Sequence, residues 1–323
     1  MRIRRFALAV AGLSLVTGAV AANQATAEVQ GKPQPSRQSL AEGLAKPQAK
    51  APAAAGACQV EVGAVTAAGQ NAGYRIIATK PVTAPPYKPY KLFGIRASST
   101  WYDWQGSGTT HYYAGFVLVS GSLYATAESY KTPQTTVPVV SSKRLGTGWG
   151  SFTSLASSTY YNESTGAGHM FLYGLNTNGT LYRYSINGTT GPVSAAGSAL
   201  GYKSFKSITT IAETATYDTL LGITKTGAIY TIHLPITQQL KGTLKAVRTT
   251  GFGAYHQLIA QRCGNNGGTL LTGFNNANNT ATVYAMSRAK GAATVVNTIG
   301  SVALPQDATV HFMYTGDYQL IGE

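Results

Sequence analysis

Acidic residues are scarce in this chain. Its 323 residues include 11 Asp and Glu against 25 Lys and Arg, so the formal net charge is +14 at pH 7. Only 11% of the residues are charged, so the positive charge arises from a shortage of acids rather than from many bases. This shortage leaves few carboxylates from which an acid–base active site could be built.

Cysteine and long periodic helical stretches are also scarce, and each absence excludes a class of protein. Two cysteines are too few for a disulfide-dense miniprotein. Without Ala/Glu/Lys/Leu-rich periodic stretches the chain is not a coiled coil. Hydrophobic residues make up 44% and aromatic residues 10% of the chain. That content excludes wholesale disorder and is enough for a sizeable core.

The first 57 residues predict an export signal and a tether. Residues 1–27 contain three early arginines, the apolar run Phe6–Val16 and small-x-small sites such as Ala25-Thr26-Ala27, which is the pattern of a cleaved secretion signal. General secretion and twin-arginine export both remain open. Residues 28–57 are rich in Ala, Pro, Gln and Lys, and this composition predicts a disordered tether. We therefore expect a secreted protein with no integral membrane segment after cleavage.

Residues 58–323 form a repeat of short strands and polar turns. Each unit has an apolar strand containing glycine, a Gly/Asn turn, and a strand containing tyrosine. The recurring glycines are Gly115, Gly174, Gly222, Gly273 and, at the end of the chain, Gly322. The recurring tyrosines are Tyr124, Tyr182, Tyr230 and Tyr284.

A second motif, Gly-aromatic-x-x-aromatic, follows the first in three of the repeats. Its copies are Gly148-Trp149-x-x-Phe152, Gly201-Tyr202-x-x-Phe205 and Gly251-Phe252-x-x-Tyr255. The fourth repeat lacks this motif. An apolar strand follows each copy.

The repeat predicts an all-β fold, a five-bladed β-propeller of four-stranded antiparallel blades. The period of about 50 residues divides the folded region into about five, within the usual range of blade number. We expect the glycine strand to be innermost, where backbones crowd near the axis. Residues 319–323 are predicted to supply the first strand of a closing blade. Gln59–Val65, Tyr74–Thr79 and Leu92–Arg96 are predicted to supply its other three, which would pair the two ends of the chain.

These motifs resemble those of tachylectin-type five-bladed propellers over residues 110–323. The resemblance implies a lectin that binds N-acetylated amino sugars in shallow outer pockets between blades, without a cofactor. Two departures stand against it, because the repeats differ in length and the fourth lacks the aromatic motif.

Three aromatic residues are the candidate sugar-binding residues: Trp149, Tyr202 and Phe252. They occur once per repeat, and repeated weak sites gain avidity on a polymer. Packing between blades is the alternative for these rings, and the favoured one for Phe152, Phe205 and Tyr255. The expected partner is a glycan or cell-wall polymer. The alternative function is a secreted scaffold that binds a protein partner and has no sugar site.

An enzyme is not expected. Glycoside hydrolysis requires paired carboxylates, and most of the nine acids of the folded region fall in or near predicted turns. These acids are Glu61, Asp103, Glu128, Glu163, Glu213, Asp218, Asp307, Asp317 and Glu323. The five histidines form no metal-binding pair, so no metal is expected.

The two cysteines and the charge complete the expectations. An even pair in an exported protein predicts a disulfide between Cys58 and Cys263. The folded region carries 18 Lys and Arg against nine Asp and Glu. These bases are scattered and form no recognition motif, so nucleic acid is not an expected partner. Attraction to anionic wall polymers fits export better.

Overall fold

A computed structural model describes residues 57–105, 109–131, 137–162, 164–187, 193–237, 239–264, 266–304, 308–316 and 320–323. The predicted signal, 1–27, and all but the last residue of the predicted tether, 28–57, lie outside the described residues. Within the described ranges the chain is all-β, with 22 strands and no helix.

The strands alternate with short turns along the whole described chain. They are β1 (Gln59–Thr66), β2 (Gln70–Asn71), β3 (Tyr74–Ile77), β4 (Tyr90–Lys91), β5 (Ala97–Ser98), β6 (Trp101–Gln105), β7 (Thr110–Val119), β8 (Ser122–Lys131), β9 (Val139–Thr147), β10 (Phe152–Tyr161), β11 (Gly168–Asn176), β12 (Leu181–Ile186), β13 (Val193–Ala199), β14 (Phe205–Glu213), β15 (Tyr217–Thr224), β16 (Ile229–Pro235), β17 (Thr243–Arg248), β18 (Gln257–Cys263), β19 (Gly268–Asn275), β20 (Thr280–Met286), β21 (Val296–Ala303) and β22 (Ala308–Thr315).

Three of the four sheets are regular four-stranded antiparallel meanders. Sheet B is β10–β13, sheet C is β14–β17 and sheet D is β18–β21. The remaining ten strands form one larger sheet, sheet A, in which β22 pairs antiparallel with β1 and parallel with β6. Strands from near the two ends of the described chain are therefore paired, as expected.

In sheets B, C and D the inner strand, which contacts the neighbouring sheets, is the strand that follows the aromatic motif. It is not the strand that contains the recurring glycine. Strands β10, β14 and β18 lie side by side in that order; β18 also contacts β22, while β10 contacts β5. Thr210 on β14 donates to the Ser157 carbonyl on β10 at 2.7 Å, and Gln257 on β18 donates to the His311 carbonyl at 3.1 Å. The prediction that the glycine strand is innermost is therefore wrong, because glycine strands β11, β15 and β19 are second in their sheets.

The glycines are required for a different reason, which is the close approach of an aromatic ring from the inner strand. A Cβ placed on each of five glycines would lie less than 3.0 Å from such a ring. The five pairs are Gly63–Phe312, Gly115–Trp101, Gly174–Phe152, Gly222–Phe205 and Gly273–Tyr255. Sequence reasoning attributed the need for glycine to backbones that crowd near a central axis. The side-chain space at these glycines is instead filled by the aromatic rings.

One backbone hydrogen bond also recurs five times. In each case a residue of the linker that leads into an inner strand donates its backbone N–H to a carbonyl at 2.7–3.0 Å. The carbonyl belongs to the turn of a hairpin that precedes this linker in the chain. The five bonds are Leu92→Gly69, Trp149→Gly121, Tyr202→Gly179, Phe252→Gly227 and Leu304→Asn279. Leu304 thus takes the position of the aromatic residue that the fourth repeat lacks.

The predicted closing strands need two further corrections. Residues 320–323 form only an isolated bridge, between Ile321 and Ala212, and the closing C-terminal strand is β22. Leu92–Arg96 is not a strand either, because its first residue serves as a linker. Both errors have the same cause. Sequence reasoning took the glycine strand as the first strand of each unit, whereas it is the second strand of its sheet.

Candidate functional site

The three predicted ligand-binding aromatics occupy equivalent positions, but their rings are buried. Trp149, Tyr202 and Phe252 are 7%, 4% and 5% exposed. Each backbone N–H holds a linker against the preceding sheet, and each ring lies in an apolar cluster that spans two sheets. A ring face must be open to stack on a sugar, so this burial favours the packing alternative. The inner motif residues Phe152, Phe205 and Tyr255 are buried as well.

Partly exposed tyrosines of the third strand border each cluster: Tyr182 and Tyr184 in the first, and one each, Tyr230 and Tyr284, in the other two. The Tyr184 ring lies 4.9 Å from that of Trp149, and Tyr284 lies 5.4 Å from Phe252. Tyr230 lies 5.9 Å from Phe205, the second aromatic of its motif. Sequence reasoning had used Tyr182, Tyr230 and Tyr284 as markers of the repeat. It therefore pointed to Tyr230 and Tyr284 but not to Tyr184, which lies two residues after the marker.

These tyrosines lie where neighbouring sheets meet, and we call each such junction a groove. Each belongs to an apolar cluster that includes an outer-strand residue of the preceding sheet: Leu145 with Tyr184, Ala196 with Tyr230, and Val247 with Tyr284. The same outer strands carry exposed hydroxyl side chains, at Ser142, Ser194 and Thr243. Burial raises the pKa of Tyr184 to about 12, so the phenol stays neutral at physiological pH. We call these three positions the groove tyrosines.

Three of the six acidic residues that the structure describes are buried in strands and are not solvated turn residues: Glu128, Glu213 and Asp218. Glu213 lies on inner strand β14 and is 2% exposed, and its cross-strand neighbour Asp218 is fully buried. Glu213 accepts hydrogen bonds from the Tyr102 hydroxyl at 2.9 Å and from the Thr159 and Leu320 backbone N–H groups. Burial nevertheless raises its pKa to about 8.

Two more polar clusters surround buried carboxyl groups. Asp218 accepts hydrogen bonds from the hydroxyls of Ser158 at 2.5 Å and Tyr173 at 2.7 Å, and lies 3.1 Å from His169 Nε2. Glu128 accepts a hydrogen bond from the Tyr314 hydroxyl at 3.0 Å, and burial raises its pKa to about 7. The Asp218 contacts join sheets B and C, whereas the Glu128 contact joins two strands of sheet A. Both carboxyl groups are sealed from solvent.

The space between the inner strands is too small for a sugar. A cavity of about 10 Å³, room for about one water molecule, lies between five strands: β5, β10, β14, β18 and β22. Ser98, Thr209, Gln257 and His311 are among the residues that line it. Burial and the neighbouring His256 lower the pKa of His311 to about 3. Within the described ranges, no group of three or more His, Cys, Asp or Glu side chains is placed to hold a metal ion.

The predicted disulfide is confirmed. Cys58 and Cys263 are bonded, with their Cα atoms 5.7 Å apart and a sequence separation of 205. The bond joins the residue before β1 to the end of β18, the inner strand of sheet D. None of the described residues forms a helix long and apolar enough to cross a membrane.

Comparisons with known proteins do not assign a family. No family model matches the chain, and no curated protein matches it. Among solved structures, it is similar to the SapL1 lectin in complex with alpha methyl fucoside, with 12% identity, a TM-score of 0.36, and coverage of 77% of this chain and 97% of that one. It is also similar to the Hadza microbial sialidase Hz136, with 9% identity, a TM-score of 0.35, and coverage of 70% and 54%.

A third similar structure is BBS1N in complex with ARL6DN, with 12% identity, a TM-score of 0.35, and coverage of 77% of this chain and 73% of that one. Similarities at this level carry no argument about function, and the tachylectin-type resemblance stays a prediction.

Proposed function

We propose that this chain is a secreted, non-catalytic, lectin-like protein with five blades. The observation that carries the sugar-binding proposal is the recurrence of a partly exposed tyrosine in successive grooves, at Tyr184, Tyr230 and Tyr284. An aromatic face with neutral hydroxyl groups beside it suits a sugar ring, which has an apolar face and a polar edge. Several equivalent weak sites on one rigid frame would bind a polymeric glycan by avidity. The proposed ligand class is N-acetylated amino sugars or cell-surface glycans.

Support for five blades comes from the two features that recur five times. These are the aromatic rings over glycines and the linker hydrogen bonds. The cavity lined by five inner segments agrees with the same count. The disulfide supports an oxidising compartment outside the cytosol. The non-catalytic part of the proposal rests on the sealed state of Glu213 and Asp218, which substrate could not reach without a rearrangement.

The experiment is a pull-down on chitin with a matched control. The groove variant carries Tyr184→Ala, Tyr230→Ala and Tyr284→Ala. The control variant carries Tyr112→Ala, Tyr160→Ala and Tyr217→Ala. These three tyrosines are also partly exposed, but they lie outside the grooves. We expect the groove variant to lose retention at least tenfold while the control retains it, with both folded by circular dichroism. Single Tyr184→Ala substitution covers the case in which the triple variant unfolds. Equal retention by all variants would contradict the proposal.

A specific observation also favours the alternative function as a protein-binding scaffold. Large apolar side chains are exposed on or beside the outer strands of all four sheets, at Val139, Leu200, Leu244 and Val295. Such residues are typical of interaction surfaces when they are contiguous. Cross-linking of wild type and of a variant with all four changed to Ser, in the secreting culture, tests this function. A cross-linked partner lost in the variant, together with unchanged chitin binding, would favour the scaffold.

A further inference from the structure

The two ends of the ring of inner strands differ in charge. The inner strands run parallel, so all of them begin at one end and finish at the other. We call the first the linker end, because the five linker hydrogen bonds lie there. The described acids all lie toward the opposite end, near the residues at which the inner strands finish or on strands paired with them. They are Glu61, Asp103, Glu128, Glu213, Asp218 and Glu323.

Three of the acids at that opposite end have a basic side chain beside them, and the other three are buried. Glu61 pairs with Arg75 at 2.9 Å, Asp103 lies 3.4 Å from His111, and Glu323 lies 2.8 Å from His233. The other three are buried. None of these acids lies at the linker end to balance its basic side chains.

The linker end carries basic residues with no acid beside them among the described residues. Lys203 and Lys206 flank Ser204, whose carbonyl accepts the backbone N–H of Lys225 at 2.8 Å. Three lysines thus meet where the linker between sheets B and C contacts a turn of sheet C. Lys203 and Lys225 are exposed, and Lys206 reaches the Gly253 carbonyl at 2.7 Å. We call these three residues the lysine cluster. Exposed Lys91 and Arg96, in or beside the first linker, extend the positive charge around the same end.

We propose that the linker end, centred on the lysine cluster, binds an anionic polysaccharide, with carboxylate-bearing sugar polymers as the ligand class. This proposal rests on the proposed function, since it names a charged class of glycan and a second surface for it. Lysines present mobile point charges that suit irregularly spaced anionic groups, whereas bidentate phosphate recognition favours arginine. The disulfide supports a compartment in which extracellular polyanions are the available partners. A one-sided positive field also speeds the encounter with such a polymer.

The test compares two variants of equal net charge. The first carries Lys203→Gln, Lys206→Gln and Lys225→Gln. The second carries Lys131→Gln, Lys241→Gln and Lys245→Gln, which removes three exposed lysines elsewhere. Binding to polygalacturonate is measured across a salt series. We expect the first variant to bind at least tenfold more weakly at low salt and its log–log salt slope to be shallower by about two units. The second variant should resemble wild type.

Three results would overturn the proposal: no binding by wild type, equal losses in both variants, or tighter binding to duplex DNA than to polygalacturonate at matched salt. A Lys203→Gln, Lys225→Gln double variant, which keeps the Lys206 contact with Gly253, answers the question if the triple variant does not fold. Chitin retention is measured in parallel. Its persistence in the first variant separates a failure of this surface from a failure of the groove tyrosines.

Discussion

The phenyl ring of Phe205 fills the space above Gly222 that a side chain would otherwise occupy. A Cβ at that position would lie at 2.5–2.7 Å from two carbon atoms of the ring. The glycine belongs to the second strand and the ring to the inner strand, so the contact fixes the spacing of two strands. The same arrangement recurs in the other sheets, and this explains why the chain repeats a glycine and an aromatic residue together.

Substituting this glycine should destabilise the fold. Gly222→Ala forces the buried ring of Phe205 to move, and overpacking of this kind costs about 1–3 kcal/mol. Gly150→Ala is the matched control, because no atom lies within 4 Å of the added Cβ there. Urea denaturation followed by fluorescence measures both. Equal stability of the two variants would show that the ring does not hold this position.

Trp149→Ala should affect stability before it affects binding. The side chain is 7% exposed and packs against Phe152 and Tyr184, with ring centroids at 4.5 and 4.9 Å. Removal of such a ring costs about 3–5 kcal/mol. The sequence alone makes Trp149 a candidate sugar-binding residue, and a solvent-facing role of that kind would leave stability unchanged on substitution. A thermal melt unchanged in Trp149→Ala would restore that earlier expectation.

Loss of the disulfide should destabilise the folded region. The bond joins Cys58 and Cys263 across a sequence separation of 205, and removal of a native disulfide typically costs about 2–5 kcal/mol. The double variant Cys58→Ser, Cys263→Ser should unfold at lower urea, and reduction of wild type should reproduce the shift. Titration of denatured, unreduced wild type should detect no thiol. Two free thiols would contradict the bond.

The stability of the fold should depend on His311 below neutral pH. Its pKa in the folded state is lowered to about 3, whereas an unfolded histidine titrates near 6.5. The unfolded state therefore binds the extra proton first, and stability falls as pH drops from about 6.5 toward 3, by up to about 1.4 kcal/mol per pH unit. Nearby His256, whose Nε2 lies 3.0 Å from the Val310 carbonyl, also has a lowered pKa and contributes in the same direction.

The difference in unfolding free energy between wild type and His311→Asn isolates this contribution. Glu128 and Glu213 act in the opposite direction, since their raised pKa values make stability fall as pH rises from about 4.5 to about 7 and 8. Those contributions are common to both proteins and cancel in the difference. The difference should change between pH 6.5 and 4, and a difference independent of pH would exclude the buried imidazole as its source.

Sequence periodicity carried most of the fold but not the order of strands within a unit. The recurrence of Gly115, Gly174, Gly222 and Gly273 identified repeated antiparallel hairpins, and the cysteine pair was predicted correctly. The inner strand was missed because a glycine permits close approach of either a backbone or a ring, and sequence alone does not distinguish them. Once the start of the unit was misplaced, the closing strand was also assigned to residues 319–323.

The site was less predictable, because burial depends on which neighbour a residue meets. Trp149 and Tyr184 are both aromatic, yet one is buried and supports a linker while the other is partly exposed and borders a groove. The acids show the same limit. Glu213 lies close to a turn in sequence, but it is buried because Tyr102 from a distant strand reaches across to it.

Calorimetric titration with a soluble N-acetylglucosamine oligomer tests the sugar-binding proposal most directly. The account predicts that wild type binds more than one oligomer per chain, in line with the three grooves bordered by Tyr184, Tyr230 and Tyr284. It also predicts that Tyr184→Ala lowers the stoichiometry by about one while the protein remains folded. Absence of binding by folded wild type, or a stoichiometry unchanged in the triple groove variant, would contradict it.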